Sequence, residues 1–298
     1  MNVVLYLGCT IPTQEYAYEV SAREVLPHFD VNLIDLQNAA CCGQPVKGID
    51  NLGWLYLASR IIALAEQQNA ETLLVLCNGC HVSICEAKHI IESDENLRKK
   101  IAEMLAEEDL EITGQIRIRH LLDFLHDDIG PQKIKQVLEN SQDFKPLADL
   151  KLAAHYGCHI IRPSSIERPD KLDDPSKLEA LIEVTGARTA KYPERLECCG
   201  APMLATVDKE SFQISGNKLM AIQNRGFDGV ITVCPFCERM LERQEAISKV
   251  TGLDVTGIFS MYYTQLLGLA MGIESKQLGL QLNMSSIEKM LNRISLED

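Results

Sequence analysis

The amino-acid sequence predicts an α/β protein made of two duplicated halves, with mostly parallel sheets and a pseudo-twofold relation between the halves. Three observations predict this fold. The cysteine spacing of the first half returns in the second, short apolar segments precede the cysteines, and amphipathic segments of helical period lie between them. Strands that alternate with helices are typical of parallel sheets covered by helices.

The duplication is visible in the cysteines, of which ten of the eleven form two sets of five. The first set reads C-x31-CC-x34-C-x2-C and the second reads C-x39-CC-x34-C-x2-C. The first cysteine set consists of Cys9, Cys41, Cys42, Cys77 and Cys80, and the second cysteine set consists of Cys158, Cys198, Cys199, Cys234 and Cys237. Four of the five pairs are 157 residues apart, so we infer an internal duplication.

The boundary between the halves is predicted from composition and from the offset. Residues 140–145 are polar, and we divide the chain into an N-terminal domain, 1–145, and a C-terminal domain, 146–298. Cys9 and Cys158 are only 149 residues apart, so the second half carries eight extra residues before its cysteine pair. We place most of them in the proline-containing segment 161–175, a candidate loop for contact with a substrate or partner.

Four apolar segments of strand length lead into the cysteines. They cover residues 3–7, 73–76, 152–155 and 230–233. Their shortness and β-branched content favour buried strands of parallel sheets. The thiols should then lie at the carboxyl ends of the strands, where ligands collect in open α/β sheets.

Helices are predicted between the strands from apolar residues that recur on one face. Two such segments cover residues 52–68 and 211–224, and Gly226 is a suitable residue to end the second one. Two further helices should follow the C-x2-C motifs, over residues 81–92 and 238–250. Helix N-termini at that edge of a sheet favour anionic groups.

Composition excludes several classes of function. The 29 basic and 42 acidic residues give a net charge of −13, which argues against nucleic-acid binding. The sequence contains no run of 18 apolar residues, so it predicts no membrane-spanning helix. The apolar segment at the start is short, and we interpret it as a first strand rather than a signal peptide. We therefore predict a cytoplasmic protein. Many cysteines in a reducing compartment indicate a metal or redox role rather than a disulfide scaffold.

Five cysteines in each half exceed the needs of the common metal sites. A C-x2-C motif alone occurs in zinc, thiol-redox and iron–sulfur sites. Zinc and a cubane iron–sulfur cluster each take four ligands, whereas each half offers five, two of them adjacent in sequence. This pattern favours a larger multi-iron group. Buried core thiols, or zinc in one half, are the alternatives.

The doubled cysteine pattern resembles the cysteine-rich CCG domain family, and within it the B subunits of heterodisulfide reductases. The resemblance covers the whole chain, including the segment 263–272, YTQLLGLAMG. Related CCG domains occur in iron–sulfur subunits of glycolate and lactate oxidases, anaerobic glycerol-phosphate dehydrogenase and thiol:fumarate reductase. Those chains usually carry an added C-x2-C-x2-C-x3-C-P segment, and this sequence has none.

The resemblance implies cofactors, a reaction and partners. The cofactors are two noncubane [4Fe–4S] clusters, one on each cysteine set. The reaction is reduction of the mixed disulfide of coenzyme M and coenzyme B to two thiols. Electrons come through the ferredoxin-like C subunit from the flavin-containing A subunit, often coupled to a hydrogenase or formate dehydrogenase. The substrate would lie between the two clusters, and we hypothesise an active site at the interface between the halves.

Histidines beside the cysteines are candidates for proton transfer. His155, His159 and His81 flank them in sequence, and histidine has a pKa near neutrality. We select His155 and His159 as candidate proton donors to the leaving thiolates. The alternative for all three is a hydrogen bond that orients or tunes a metal ligand.

Basic residues beside the cysteines are candidates for binding the anionic groups of the coenzymes. We select Lys47 and Arg162, with Arg239 as a third, and an ordinary solvated charge is the alternative for each. Cys85, the eleventh cysteine, belongs to neither set and is predicted to be a buried thiol.

The sequence leaves three other functions open. A homologous protein that acts on another disulfide or on a persulfide would keep the same ligands. An electron-relay iron–sulfur subunit of a dehydrogenase would be expected to lack one complete set, and both sets are complete here. A zinc-binding interaction module would be colourless. The sequence has no G-x-G-x-x-G motif at a strand–helix turn, so we expect the electrons to come from another chain.

Overall fold

The structure is a computed structural model that describes residues 1–285 and 287–295. It contains two four-stranded sheets, and all neighbouring strands within each sheet are parallel. The strands are β1 (Asn2–Tyr6), β2 (Asn32–Asp35), β3 (Thr72–Val75), β4 (Arg117–His120), β5 (Lys151–His155), β6 (Arg188–Thr189), β7 (Gly229–Thr232) and β8 (Phe259–Tyr262). The strand orders β2-β1-β3-β4 and β6-β5-β7-β8 match each other. The predicted α/β fold with duplicated parallel sheets is confirmed.

Helices connect the strands in both halves. In the first half they are α1 (Ile11–Gln14), α2 (Tyr16–Val25), α3 (Asn51–Glu66), α4 (Asn78–Ser93), α5 (Glu95–Ala106), α6 (Leu121–Asp123) and α7 (Pro131–Glu139). In the second half they are α8 (Cys158–Ile161), α9 (Lys177–Val184), α10 (Asp208–Asn224), α11 (Pro235–Leu241), α12 (Gln244–Thr251), α13 (Tyr263–Ala270) and α14 (Glu288–Ser295). Short 3-10 turns cover Leu26–Phe29, Gln44–Val46, Pro193–Leu196, Ala201–Met203 and Leu280–Leu282, and a π-helix covers Phe124–Ile129.

The long helices begin and end where local chemistry requires. The Asp50 side chain accepts a hydrogen bond from the Gly53 backbone N–H at 2.9 Å and caps α3. Helix α10 ends at Asn224, and Gly226 takes a left-handed φ of +67° just beyond it. Both helices lie where the apolar periodicity predicts them.

One predicted helix is wrong. Residues 238–250 form two helices, α11 and α12, because Arg243 leaves the helical region with φ −78° and ψ 37°. The buried Gln244 side chain donates a hydrogen bond to the backbone carbonyl of Ile258, which ties the start of α12 to the segment before β8. Periodicity does not reveal such a long-range bond.

The two halves share one hydrophobic core. Successive strand residues face opposite sides of a sheet. On β1, Val3 and Leu5 face a core that also contains Leu152 and Ala154 of β5. Val4, between them, faces a second cluster that contains the buried cysteines. One face of each sheet is therefore buried in the shared core.

Helices α2 and α13 join the halves by specific contacts. The rings of Tyr18 and Tyr262 stack with centroids 3.9 Å apart. The hydroxyls of Ser21 and Thr264 are 2.7 Å apart, and both are buried. The close packing of the C-terminal half on α2 does not locate a boundary between domains. The division of the chain between residues 145 and 146 therefore stays a prediction.

The structure also bears on the predicted absence of a membrane span. None of the described helices has both the length and the apolar character needed to cross a membrane.

The buried carboxyl group of Glu15 should make stability pH-dependent. It accepts a hydrogen bond from the Tyr262 hydroxyl at 2.8 Å, and burial raises the pKa of Glu15 from 4.5 to about 7. The folded protein therefore binds a proton that the unfolded chain releases, so this contribution is complete below pH 4.5 and is lost as the pH rises to 7. We expect Glu15 to lower the unfolding free energy of the wild-type protein by about 2 kcal/mol between pH 4.5 and pH 7. In Glu15→Gln this part of the pH dependence should disappear.

The measurement is urea unfolding at a series of pH values between 4.5 and 7. The matched control is Glu103→Gln, at an exposed position on α5. An unchanged pH slope in Glu15→Gln, with a normal unfolding midpoint at low pH, would contradict the prediction.

Candidate functional site

Both cysteine sets lie at the carboxyl ends of the central strands. β1 and β5 lead into the first cysteines, while β3 and β7 lead into the C-x2-C motifs. Cys77 and Cys234 hold the N-cap positions of α4 and α11, with extended backbone conformations. This is the sheet edge that the sequence predicts, and the parallel strands bring cysteines distant in sequence together there.

The thiols within each set form a continuous series of contacts. In the first set, hydrogen-bond contacts between neighbouring thiols run in the order Cys9, Cys41, Cys42, Cys80, Cys77. In the second set, they run in the order Cys158, Cys198, Cys199, Cys237, Cys234. The two orders are equivalent under the internal repeat, so each half builds the same five-thiol arrangement.

The two series meet at the interface between the halves. The thiol of Cys77 contacts that of Cys234. Burial opposes ionisation of Cys234, but hydrogen bonds from Cys237, from Cys77 and from the backbone N–H of Asn78 hold its pKa well below the ordinary value. The last thiol of one series thus lies against the last thiol of the other, and all ten thiols belong to one connected group.

Neighbouring thiols in each series differ in pKa because they hydrogen-bond to one another. Hydrogen bonds from Cys41 and Cys80 lower the pKa of Cys42 to about 4, and hydrogen bonds from Cys158 and Cys199 lower that of Cys198 to about 2. The thiols that donate to them have raised pKa values, as a thiolate beside a thiol requires. Protons alone do not let five thiolates share such a site, whereas bound metal cations would replace the protons and keep every sulfur ionised.

Two glycines bring the backbone directly against the thiols. Gly8 and Gly157 precede the first cysteine of each set, with φ of +69° and +75°. A Cβ atom on Gly8 would lie 2.8 Å from the Cys80 Sγ, and one on Gly157 would lie 3.0 Å from the Cys237 Sγ. Both positions require glycine for conformation and for space.

Each half helps to enclose the cysteines of the other. The Asn78 side chain donates a hydrogen bond to the Tyr156 carbonyl at 2.7 Å, which joins the start of α4 to the loop after β5. Pro235 and Phe236, at the start of α11, line a cavity of about 70 Å³ together with residues of the first half. The other residues of this cavity include Leu7, Cys9, Cys41, Cys42, Cys77 and Cys80.

His155 lies against the second set. It is buried, and the nearest of its ring nitrogens and the Sγ atoms of Cys199 and Cys237 all lie within 4.8 Å of one another. Neither ring nitrogen has a hydrogen-bond partner among the described residues. Burial holds the pKa of His155 well below its usual range, so the ring is neutral. The equivalent residue in the first half is Tyr6, whose hydroxyl donates to the Ala40 carbonyl at 2.8 Å.

The other two histidines have different surroundings. His159 is half-buried, its Nδ1 is 3.8 Å from where a Gly79 Cβ would lie, and burial lowers its pKa. His81 is buried, and its Nε2 lies 3.5 Å from the Cys85 Sγ. Burial raises the pKa of Cys85 to about 12, and its thiol lies outside both series of contacts. Cys85 is therefore placed as a protonated, half-buried thiol.

The basic residues selected from the sequence are not equally available. Lys47 Nζ lies 2.6 Å from a carboxylate oxygen of Glu86 and 4.4 Å from the centre of the Trp54 ring, so its charge already has a partner. Arg162 is exposed just after α8, and Arg239 is half-buried on α11.

Sequence reasoning missed two basic residues near the cysteines. Arg168 lies in the predicted insertion and donates a hydrogen bond to the His159 carbonyl. Lys218 is buried on α10 beside the second set. Arg168 also lines a cavity of about 720 Å³, whose walls include His81, Cys85, Arg119 and Lys177. Applying the 157-residue offset to the helices, and not only to the cysteines, would have singled out Lys218 as a lysine at an apolar position.

Comparisons with known proteins match both halves. The sequence profile of the Cysteine-rich domain (CCG) family matches residues 3–85 and again residues 152–242. The chain is 34% identical to the B subunit of the ferredoxin/F420H2-dependent CoB-CoM heterodisulfide reductase of Methanosarcina acetivorans, over 94% of this chain and 92% of that one. It is 35% identical, with the same coverage, to the B subunit of the ferredoxin:CoB-CoM heterodisulfide reductase of Methanosarcina mazei.

More distant relatives share the architecture. The chain is 26% identical to the membrane anchor subunit of 8-methylmenaquinol:fumarate reductase of Wolinella succinogenes, over 95% of this chain and 96% of that one. A crystal structure of a hypothetical protein from Helicobacter pylori superposes with a TM-score of 0.73 at 17% identity. That superposition covers 96% of this chain and 52% of the other, and it supports the fold alone.

A pair of glycine variants tests the close approach of backbone and thiols. In Gly157→Ala, the new Cβ would lie 2.7 Å from the Asn78 Nδ2 and 3.0 Å from the Cys237 Sγ. Gly226 also has a positive φ, of +67°, but a Cβ there meets nothing within 4 Å. We expect Gly226→Ala to cost about 1 kcal/mol of conformational strain, and Gly157→Ala to cost at least about 3 kcal/mol because overpacking adds to the strain.

Chemical unfolding of both variants measures these two losses. Equal losses in the two variants would mean that backbone strain alone matters and that the loop around Gly157 has room to move.

Proposed function

The chain belongs to the cysteine-rich (CCG) domain family that includes the heterodisulfide reductase B subunits, and we propose that it is the catalytic subunit of a heterodisulfide reductase. Its reaction would be reduction of the mixed disulfide of coenzyme M and coenzyme B to two thiols. The observation that carries this proposal is the pair of complete five-thiol series that meet at Cys77 and Cys234. The full-length similarity to heterodisulfide reductase B subunits supports it.

The residues present fit an iron–sulfur cofactor in each half. Each set offers five thiols in a series of neighbouring contacts, and thiolates are the ligands that iron–sulfur clusters use. Gly8 and Gly157 bring backbone that carries no side chain directly against the Sγ atoms of Cys80 and Cys237. The proposed ligands are all ten cysteines of the two sets, and the proposed cofactors are two noncubane [4Fe–4S] clusters. When bound, such clusters supply electrons one at a time.

The paired arrangement suits the electron count of the reaction. Cleavage of one S–S bond consumes two electrons and two protons and releases two thiols. Two one-electron sites side by side would deliver the electrons without leaving a sulfur radical free in solution. The residues that hold the sites together are Asn78, through its bond to the Tyr156 carbonyl, and the thiol pair Cys77 and Cys234.

Protons must reach the sulfurs that leave. We assign His159 as the first candidate donor, because its ring is half-buried and faces the start of α4 in the other half. His155 is fully buried, so we assign it to contact with the second set, as a neutral ring beside Cys199 and Cys237. Lys47 is paired with Glu86, so Arg162, which is exposed, and Arg239, which is half-buried, remain as candidates for an anionic group of the substrate.

Two alternatives keep the same cofactors. One is a homologous protein that reduces or oxidises another disulfide or a persulfide. The other is an electron-relay iron–sulfur subunit, which the similarity to a fumarate reductase subunit of Wolinella succinogenes favours. Zinc in one half is the alternative to the second cluster.

The B subunit of a heterodisulfide reductase requires partners that bring electrons. We propose a multi-subunit complex with the ferredoxin-like C subunit, the flavin-containing A subunit, a hydrogenase or formate dehydrogenase as the electron source, and a cytoplasmic location. The similar B subunits of Methanosarcina are named as parts of such reductases, which supports the complex.

Metal content tests the cofactor proposal. Protein purified without oxygen should be brown and hold about eight irons with a matching amount of labile sulfide. We expect Cys42→Ser and Cys199→Ser each to lose about four irons, because each removes a central thiol of one series. Cys85→Ser is the matched control and should keep the full content. A colourless protein with bound zinc would refute the proposal.

Turnover tests the substrate and the proton donor. With a reduced viologen as electron source, we expect the mixed disulfide to yield two thiols per two electrons. His159→Gln should lower kcat by about 100-fold at unchanged iron content if His159 donates a proton. His28→Gln, at an exposed position, is the control. Turnover of other disulfides but not of the mixed one would favour a homologous protein with another substrate, and unchanged kcat in His159→Gln would remove that residue from the reaction.

A further inference from the structure

Lys218 carries a buried positive charge near the second cysteine set. Its side chain, on α10, is 1% exposed. The ammonium group donates a hydrogen bond to the Glu194 carbonyl and lies 5.9 Å from the centre of the Tyr192 ring. Within residues 1–285 and 287–295 it takes part in no ion pair, and the carboxylate of Glu194 pairs with Arg225 instead. Burying an unpaired charge is strongly unfavourable, so this position calls for a negative charge nearby.

Two sources of negative charge act on the Lys218 ammonium group, the exposed carboxylate of Glu197 and the second cysteine set. Burial lowers the pKa of Lys218 to about 8, while the Glu197 carboxylate and then thiolates at Cys199, Cys237 and Cys198 favour its charged form. Because Glu197 is exposed to solvent, its charge is screened, whereas the thiols of Cys199 and Cys237 are buried with Lys218. The charge on Lys218 in turn disfavours protonation of His155, which lies against the same cysteines. At neutral pH the second set therefore has a positive charge on one side.

The first set has no such charge at the equivalent place. The repeat of 157 residues pairs α10 with α3 and pairs Lys218 with Ile61. Ile61 is buried in the cluster that contains Cys42 and Cys80. The next residue of each helix is apolar in both halves, Ile62 and Leu219. The two sites thus have equivalent thiols but different electrostatic surroundings.

We propose that Lys218 is the counter-charge of the second cysteine set and gives its iron–sulfur cluster the higher reduction potential of the two. Reduction adds one negative charge to a cluster, and a nearby buried cation stabilises the more negative state. The second site is then the electron acceptor of the pair, and the first site is the electron donor. This inference rests on the proposed function only in that both sets hold iron–sulfur clusters.

The wild-type protein provides the first test. A redox titration followed by electron paramagnetic resonance should resolve two one-electron transitions. Cys9→Ser and Cys158→Ser assign them, since each alters or removes the transition of its own set. We expect the more positive potential to belong to the second set. A more positive potential at the first set would overturn the proposal.

Variants of Lys218 provide the second test. Lys218→Met removes the charge from a side chain of similar length and should favour the oxidised second site at least about tenfold, a shift of about 59 mV to lower potential. The first site should change much less. Lys218→Arg keeps the charge and should keep the potential, and Lys209→Met removes an exposed lysine from the same helix and should also leave it unchanged.

The remaining outcomes are also decisive. If Lys218→Met and Lys218→Gln both lose half of the iron while Lys218→Arg keeps it, the positive charge is needed to hold the second cluster, as a counter-charge requires. If Lys218→Arg loses the same iron, shape rather than charge matters at this position, and the proposal is wrong. Normal iron with an unchanged potential in Lys218→Met refutes this proposal alone, whereas protein without iron refutes the proposed function as well.

Discussion

The contact between Cys77 and Cys234 is the constraint on which the rest of the site depends. It brings the last thiol of each five-cysteine series together across the interface between the halves. Ten thiols in contact share their protons unevenly, as the low pKa values of Cys42 and Cys198 show. If bound metal cations replaced the protons, every thiol of the group would be ionised. The glycine backbone at Gly8 and the start of each C-x2-C helix are arranged around this one requirement.

The shared core explains why the interface is a suitable place for a site. Val3 and Leu5 of one sheet and Leu152 of the other belong to the same apolar cluster, so the halves are not free to separate. Asn78 then joins the ligand-bearing helix of one half to the loop after β5 in the other. The distance between the two cysteine sets is therefore fixed by packing. A reaction that needs two sites to act on one bond depends on that fixed distance.

Much of the fold and the thiol positions could be predicted from the sequence, because both follow from local pattern and repeat. Short apolar segments before Cys77 and Cys234 predict strands, and the sheet edge follows from their parallel order. The break of the helix at Arg243 could not be predicted, because it depends on the hydrogen bond from Gln244 to the distant segment before β8. The pairing of Lys47 with Glu86 was also out of reach, since contacts between side chains are set by tertiary packing.

The duplication explains the similarity of the two sites, and later substitutions explain their difference. The cysteine positions are equivalent in the two halves, whereas the residues around them differ. In the repeat, Tyr6 is the equivalent of His155, and Ile61 is the equivalent of Lys218. A neutral neighbour and a buried cation act differently on an added electron, because the protein interior screens charge weakly. Two identical sites would share electrons without preference. Divergence of the surroundings, with the ligands unchanged, is thus the simplest way for a duplicated protein to give its electrons a direction.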